Sequence, residues 1–198
     1  MHQAIDQFRS NIERVKALGT LHDALKKQIT VVVDLSDLLR AELVLAVSAL
    51  DQFVHEVVRI GMLEVHRGTR PPTDAFLRFG VTMENVRKAN SNPGTEDWLE
   101  DEIRDRHRWQ SFQSPDRIAD ALRLVTDLRM WEIIAARVGG TPTDLKNRLS
   151  LVVDRRNKIA HEADIDPTFG RRWPIDPILV GDSVNFVERL AESIYASL

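Results

Sequence analysis

A chain of 198 residues, 43 % hydrophobic and 29 % charged, has the apolar material for a core and the polar surface to stay in water, which excludes a disordered chain. It contains no cysteine, so disulfide frameworks and thiolate chemistry, whether of zinc, of iron–sulfur clusters or of a nucleophile, are excluded, and a reducing, cytoplasmic location is expected. The net charge of −3 argues against a surface that is basic throughout, although 21 of the 27 cations are arginine, the side chain that forks onto phosphate and stacks on bases.

The helical apolar period runs through almost every segment, and no Asn-Gly or Asp-Gly hairpin signal interrupts it, so the chain reads as all-α and as one domain over residues 1–198. Residues 3–17 form a first amphipathic helix on Ile5, Phe8, Ile12 and Val15, with Gly19 as its stop and a shorter helix from Thr20, all within an N-terminal unit of residues 1–30. These charges interleaved with apolar positions are unlike a secretory signal. The β-branched run Ile29 to Val33 reads as a helix end or an extended linker, because a lone strand would have no partner.

Ser36 and Asp37 offer N-cap chemistry for the longest helix, Leu38 to about His66, whose centre from Leu43 to Leu50 is apolar nearly all round, as the middle of a bundle requires. That apolar stretch falls far short of the ~20 residues that cross a bilayer, so no membrane partner is expected. Pro71-Pro72 and Asn92-Pro93-Gly94 bracket a short helical piece at 73–89 within a helical insertion spanning 70–112. The densely charged stretch from Glu96 to Trp109 reads as a solvated helix laced with ion pairs; its Arg104, Arg106, Arg108 and Trp109 are a weaker candidate grip for a single strand. Ser114-Pro115 starts a helix that continues, with a kink, through Trp131, Ile134 and Val138 to Gly139-Gly140. Thr141-Pro142 starts another, the motif helix of residues 142–163, and a Pro-rich loop then leads to a last helix over 182–198, capped by Asp182-Ser183.

Dinucleotide, P-loop, zincin and nucleophile-elbow signatures are all missing, and no cofactor or metal is expected. The polar run Asp154-Arg155-Arg156-Asn157-Lys158-Ile159-Ala160-His161-Glu162 stands apart, at the end of an otherwise apolar helix. Cutting RNA without a metal needs an acid or base that titrates near neutrality and a fixed cation for the charge building on phosphate, which His161 and Arg156 supply in kind. Asn157 and His161, four apart, share a face, but Arg156 and His161 lie about 140° apart around an ideal helix. Two copies meeting across a two-fold axis would bring them into one cleft, so a homodimer is a mechanistic expectation. On the residues alone a plainer reading stays open: an Asp154–Lys158 ion pair and a histidine favoured by the helix dipole.

Arg156-Asn157-Lys158-Ile159-Ala160-His161 resembles the Arg-polar-x3-His signature of the HEPN superfamily. Leu35-Ser36-Asp37-Leu38-Leu39-Arg40, Val47 to Glu56 and Val152 to Asp164 further resemble its RiboL-PSP-associated subgroup, a likeness covering roughly residues 30–198. The resemblance implies an antiparallel bundle with a long central helix and helical insertions, which dimerises and cleaves RNA without a metal in phage defence or RNA stress. It implies Arg156 and His161 as the catalytic pair with Asn157 orienting them, and a 2′-OH attack that leaves a 2′,3′-cyclic phosphate and a 5′-OH, so DNA is not cut. The alternative is a non-catalytic dimer that binds RNA or nucleotide, or serves in assembly. HEPN toxins silenced by adenylylation carry a Tyr two residues after the His; Ala163 stands there, and a neutralising or activating partner is left open. Arg155, Lys158, Arg171 and Arg172 are candidate RNA contacts, and Asp51, His55 and Glu162 candidate supporting residues.

Overall fold

An apolar stripe that is nearly continuous around a helix must be covered on most sides, and the second helix is covered in this way. The computed structural model describes residues 1–28 and 33–198, and the helices among them are α1 (His2–Gln28), α2 (Ser36–His66), α3 (Asp74–Leu77), α4 (Met83–Ser91), α5 (Asp97–His107), α6 (Pro115–Leu122), α7 (Met130–Val138), α8 (Pro142–His161) and α9 (Pro177–Tyr195). α1, α9, α8, α5 and α6 all pack against α2, which makes it the axis of an all-α bundle. Leu43, Ala46, Val47, Leu50, Phe53, Val54, Val57, Val58 and Met62 of α2 are buried in one continuous core with Ile5, Phe8 and Ile12 of α1, Leu149 of α8 and Val184, Val187 and Leu190 of α9. Small Ala46 and Gly61 permit close neighbours; a Cβ on Gly61 would lie 2.6 Å from Val125 Cγ1. No helix among the described residues is long and apolar enough to cross a membrane.

Helix starts follow side-chain chemistry. Thr73, Thr82, Ser114, Thr141 and Asp176 each accept a hydrogen bond from a backbone amide in the first turn that would otherwise lack a partner. Pro115, Pro142 and Pro177 follow three of these caps, at a position where the missing N–H costs nothing.

Several element boundaries differ from the sequence reading. Gly19 does not end a helix: α1 runs on to Gln28, and Gly19 faces the Glu42 carboxylate, whose Oε2 a Cβ would approach to 2.8 Å. The glycine serves close approach between α1 and α2, not chain reversal. Ile29, Thr30, Val31 and Val32 lie outside the described residues. Neither Ser36 nor Asp37 caps α2: Leu35 stands at the N-cap position without a side-chain hydrogen bond, and Asp34 just before it accepts from the Ser36 amide at 2.8 Å. The piece at 73–89 is two helices, α3 and α4, and the kink before Trp131 is a full break between α6 and α7. α5 is not solvated all round, since Leu99, Glu102, Ile103 and His107 are buried on one face. The Pro-rich loop contains an antiparallel two-stranded hairpin, β1 (Ile165–Asp166) with β2 (Arg171–Arg172), in the register Ile165 to Arg172 and Asp166 to Arg171. α9 begins at Pro177, five residues ahead of Asp182, because Asp176 caps it at the Ile178 and Leu179 amides.

Candidate active site

α8 buries Leu145, Leu149 and Val152, and the same stripe continues one turn on to Arg156. The guanidinium therefore runs along the bundle wall: its Nε is buried without a hydrogen-bond partner, while its Nη1 donates to Asn157 Oδ1 at 3.0 Å. That contact fixes the planar fork of Arg156 against the amide. His161, the last residue of α8, is exposed, and its ring makes no hydrogen bond or ion pair among the described residues. The structure thus joins Arg156 to Asn157 and leaves His161 in solvent, on a helical face about 140° from that of Arg156.

The end of α8 is held by a buried charge network. Asp164, fully buried, accepts through Oδ2 from Arg40 Nε and from Arg155 Nη2, each at 2.8 Å. Arg40 is 6 % exposed; its Nη1 donates to Ser36 Oγ at 2.6 Å and its Nη2 to the Trp173 carbonyl at 2.9 Å, while Arg155 Nη2 also reaches the Pro174 carbonyl at 3.1 Å. The chain turns sharply to deliver Asp164: Ala163 and Asp164 have φ of 51° and 58°, and the Asp164 amide donates back to the Lys158 carbonyl at 3.0 Å, closing the helix. Aspartate tolerates this left-handed backbone better than alanine does. One carboxylate thus ties α2, α8 and the hairpin together just beyond His161.

The remaining residues singled out in the sequence are scattered around this frame. Arg155 is engaged by Asp164 and the Pro174 carbonyl and stays partly exposed. Lys158 Nζ pairs with Asp154 Oδ2 at 3.0 Å, and Glu162, exposed, caps α8 through its amide. Arg172 Nη1 contacts Asp37 Oδ1 at 2.5 Å, whereas Arg171 across the hairpin is exposed with no ion pair among the described residues. Asp51 and His55 do not face Arg156. Asp51 accepts from the Phe112 amide at 2.6 Å and from Gln113 Nε2 at 3.0 Å, and His55 Nε2 lies 3.2 Å from the Gln110 carbonyl, so both fasten the segment between α5 and α6. Arg104 is paired with Glu100 at 2.7 Å; Arg108 stacks 4.7 Å from the ring centroid of the exposed Trp109.

Sequence reasoning missed the pairing of Arg40 with Asp164. Both lie inside the blocks that carry the family resemblance, and a lone arginine on the apolar side of α2 is the signal that a buried acid must meet it. Among the described residues no group of three or more His, Asp or Glu side chains is placed to hold a metal ion.

An all-α bundle with arginine, a polar residue and, five positions after the arginine, a histidine at the end of one helix has the form of a HEPN domain. A RiboL-PSP-HEPN family model matches residues 9–198, and the chain belongs to that family. Membership is consistent with a ribonuclease or a nucleotide-binding role. No curated protein and no solved structure matches the chain.

Proposed function

We propose that the protein is a metal-independent endoribonuclease that acts as a homodimer, with Arg156 of one copy and His161 of the other completing each site. The observation that carries this reading is the split state of the motif: Arg156 is braced by Asn157 with its Nε unpartnered, and His161 stands in solvent on another face of the same helix. A second copy related by a two-fold axis supplies the missing member to each site.

In the reaction, His161 takes the proton of the ribose 2′-OH or delivers one to the leaving 5′ oxygen, and the oxygen of the 2′-OH attacks the adjacent phosphorus. The bond to the 5′ oxygen breaks, leaving a 2′,3′-cyclic phosphate and a 5′-OH. Arg156 holds the phosphoryl oxygens as charge builds on them, and Asn157 keeps the fork oriented. Arg171 and Lys158 add phosphate contacts along the strand, and DNA, without the 2′-OH, is not a substrate. A role in phage defence or RNA stress fits such an activity.

The test is incubation of purified protein with end-labelled RNA in excess EDTA, beside His161→Ala, Arg156→Ala and a DNA control. Fragments ending in cyclic phosphate, lost with either variant and absent from DNA, support the reading. Intact RNA in every lane overturns it in favour of a dimer that binds RNA or nucleotide, or serves in assembly, without cutting. The lack of an Arg156–His161 hydrogen bond among the described residues favours that second reading if the protein proves monomeric.

A further inference from the structure

Away from α8, a cavity of about 410 Å³ opens between α3, α5 and α6, walled by Arg78, Phe79, Gly80, Arg106, His107 and Arg117. Its size is that of a small-ligand cleft. Three guanidiniums around one hollow repel one another unless acids or an anion balance them.

Arg106 is built in place. Its Nε donates to Glu102 Oε1 at 2.7 Å, and Glu102, 1 % exposed, accepts through Oε2 from the Thr82 amide at 2.8 Å, the Thr82 hydroxyl at 2.7 Å and Asn85 Nδ2 at 2.8 Å. Burial pushes the Glu102 pKa up, but the donors of Thr82, Asn85 and Arg106 outweigh it and bring it down to about 2, so the carboxylate stays charged. With Nε held, neither Nη of Arg106 has a hydrogen-bond partner among the described residues. Gly80 makes room for the guanidinium: a Cβ there would lie 3.1 Å from Arg106 Nη2.

The other charges leave the hollow positive. Asp120, also in its wall, is occupied by Arg123, Nη1 to Oδ1 at 2.6 Å. Arg117 has no ion pair among the described residues, and Arg78 comes no closer than 3.9 Å to Asp74, both side chains being exposed. His107 adds an independent observation. It lines the cavity, is 5 % exposed, and its Nδ1 is buried without a hydrogen-bond partner. Burial, then His55 and Arg106, pushes its pKa down to about 4, so near neutral pH the ring is uncharged and adds no further cation to the wall.

We infer that this cavity binds a phosphate monoester: the free Nη groups of Arg106 and the guanidinium of Arg117 grip the phosphate, Arg78 adds a third cation to the wall, and the neutral His107 ring closes it. The same chemistry comes from a free nucleoside monophosphate or from the 5′-phosphate of an RNA strand. The site lies on other elements than the proposed ribonuclease motif and does not depend on it.

The experiment is isothermal titration of the 198-residue His161→Ala chain, expected to leave RNA intact, near neutral pH and at low salt. The probes are adenosine 5′-monophosphate, adenosine, and a tetranucleotide RNA with and without a 5′-phosphate. The monophosphate is expected to bind saturably and adenosine at least about tenfold more weakly, with Arg117→Ala and Arg106→Gln each lowering monophosphate affinity about tenfold. Arg117 is exposed, so its variant serves as the test should Arg106→Gln disturb the fold through Glu102. A 5′-phosphorylated strand that binds more tightly than the monophosphate assigns the site to RNA ends; equal or weaker binding assigns it to free nucleotides. Equal binding of adenosine and its monophosphate, no binding of either phosphorylated probe, or unchanged affinity in both arginine variants overturns the inference. RNA cleavage by the wild type, scored separately, is untouched by any of these outcomes.

Discussion

Asp164→Ala isolates the network that holds the end of the motif helix. The substitution removes an acceptor that meets two guanidiniums at 2.8 Å each in a fully buried position. Arg155 is partly exposed and can turn outward, but Arg40, 6 % exposed, keeps its charge inside the protein with Ser36, the Trp173 carbonyl and, at 3.7 Å, the exposed Asp37 carboxylate for company. Stranding one member of a buried pair costs about 3–5 kcal/mol. For a chain of this length each kcal/mol moves Tm by about 2–4 °C, so a loss of about 10 °C is expected in thermal unfolding followed by far-UV circular dichroism. Asp164→Asn retains an acceptor and the tolerance for φ of 58°, and is expected to lose about half as much. Adding Arg40→Met to Asp164→Ala removes the stranded charge and should restore part of the loss. An Asp164→Ala protein melting within about 2 °C of wild type, or a double variant no better than the single one, refutes the reasoning.

The titrating groups make two predictions of opposite sign. Glu42 has its pKa raised to about 7 by burial first and then by Asp23, so the folded chain retains a proton that the unfolded chain loses near 4.5. Its contribution is present below that lower value and is lost as pH rises toward 7; Glu42→Gln should therefore gain about 1–2 kcal/mol at about pH 8 and nothing below about pH 4.5, read by urea unfolding. His107, with its pKa lowered to about 4 from 6.5, has the reverse sign: its contribution is present above 6.5 and is lost as pH falls toward 4, and His107→Gln should flatten that acid limb of the Tm profile. A parallel acid limb in the variant contradicts the assignment. Gly61→Ala, with its Cβ driven to 2.6 Å from Val125 Cγ1, should cost about 1–3 kcal/mol in urea unfolding, whereas Gly181→Ala on α9, with nothing within 4 Å, should gain about 0.5–1 kcal/mol. His161→Ala, at an exposed position without partners, should shift stability by less than about 0.5 kcal/mol.

What could be read in the sequence divides along a physical line. Apolar periodicity is local, and it was enough for α2 as the central helix, for the start of α8 at Thr141-Pro142 and for the all-α class. Glycine and proline carry less information than their reputation suggests: Gly19 permits an approach to Glu42 in mid-helix, and Pro177, which the sequence places in the loop after the motif helix, opens α9. The charged stretch from Glu96 to Trp109 reads as solvated because no neighbour in sequence shows otherwise, and nothing near Arg40 in sequence announces its partner. Glu102 is buried by Thr82 and Asn85, and Arg40 by Asp164, a residue 124 positions away. The motif itself was legible, since it needs only six consecutive residues. The roles of Asp51 and His55 were not, because their shared face meets the segment around Gln110 and Phe112 and not α8. Arg155 likewise has its partner nine residues further on, across a turn whose positive φ at Ala163 no composition rule announces.

The central claim, a site completed across two copies, is tested most directly by mixing variants. Arg156→Ala and His161→Ala proteins, each inactive alone, are combined, allowed to exchange subunits, and assayed on end-labelled RNA in EDTA. A mixed dimer pairs the intact Arg156 of one copy with the intact His161 of the other at one of its two sites, so about a quarter of wild-type cleavage should return when half the dimers are mixed. Subunit exchange is verified separately by mass spectrometry of differently tagged copies. Mixed dimers that form and remain inactive, while wild type cleaves, would place Arg156 and His161 of the same copy in each site and contradict the account.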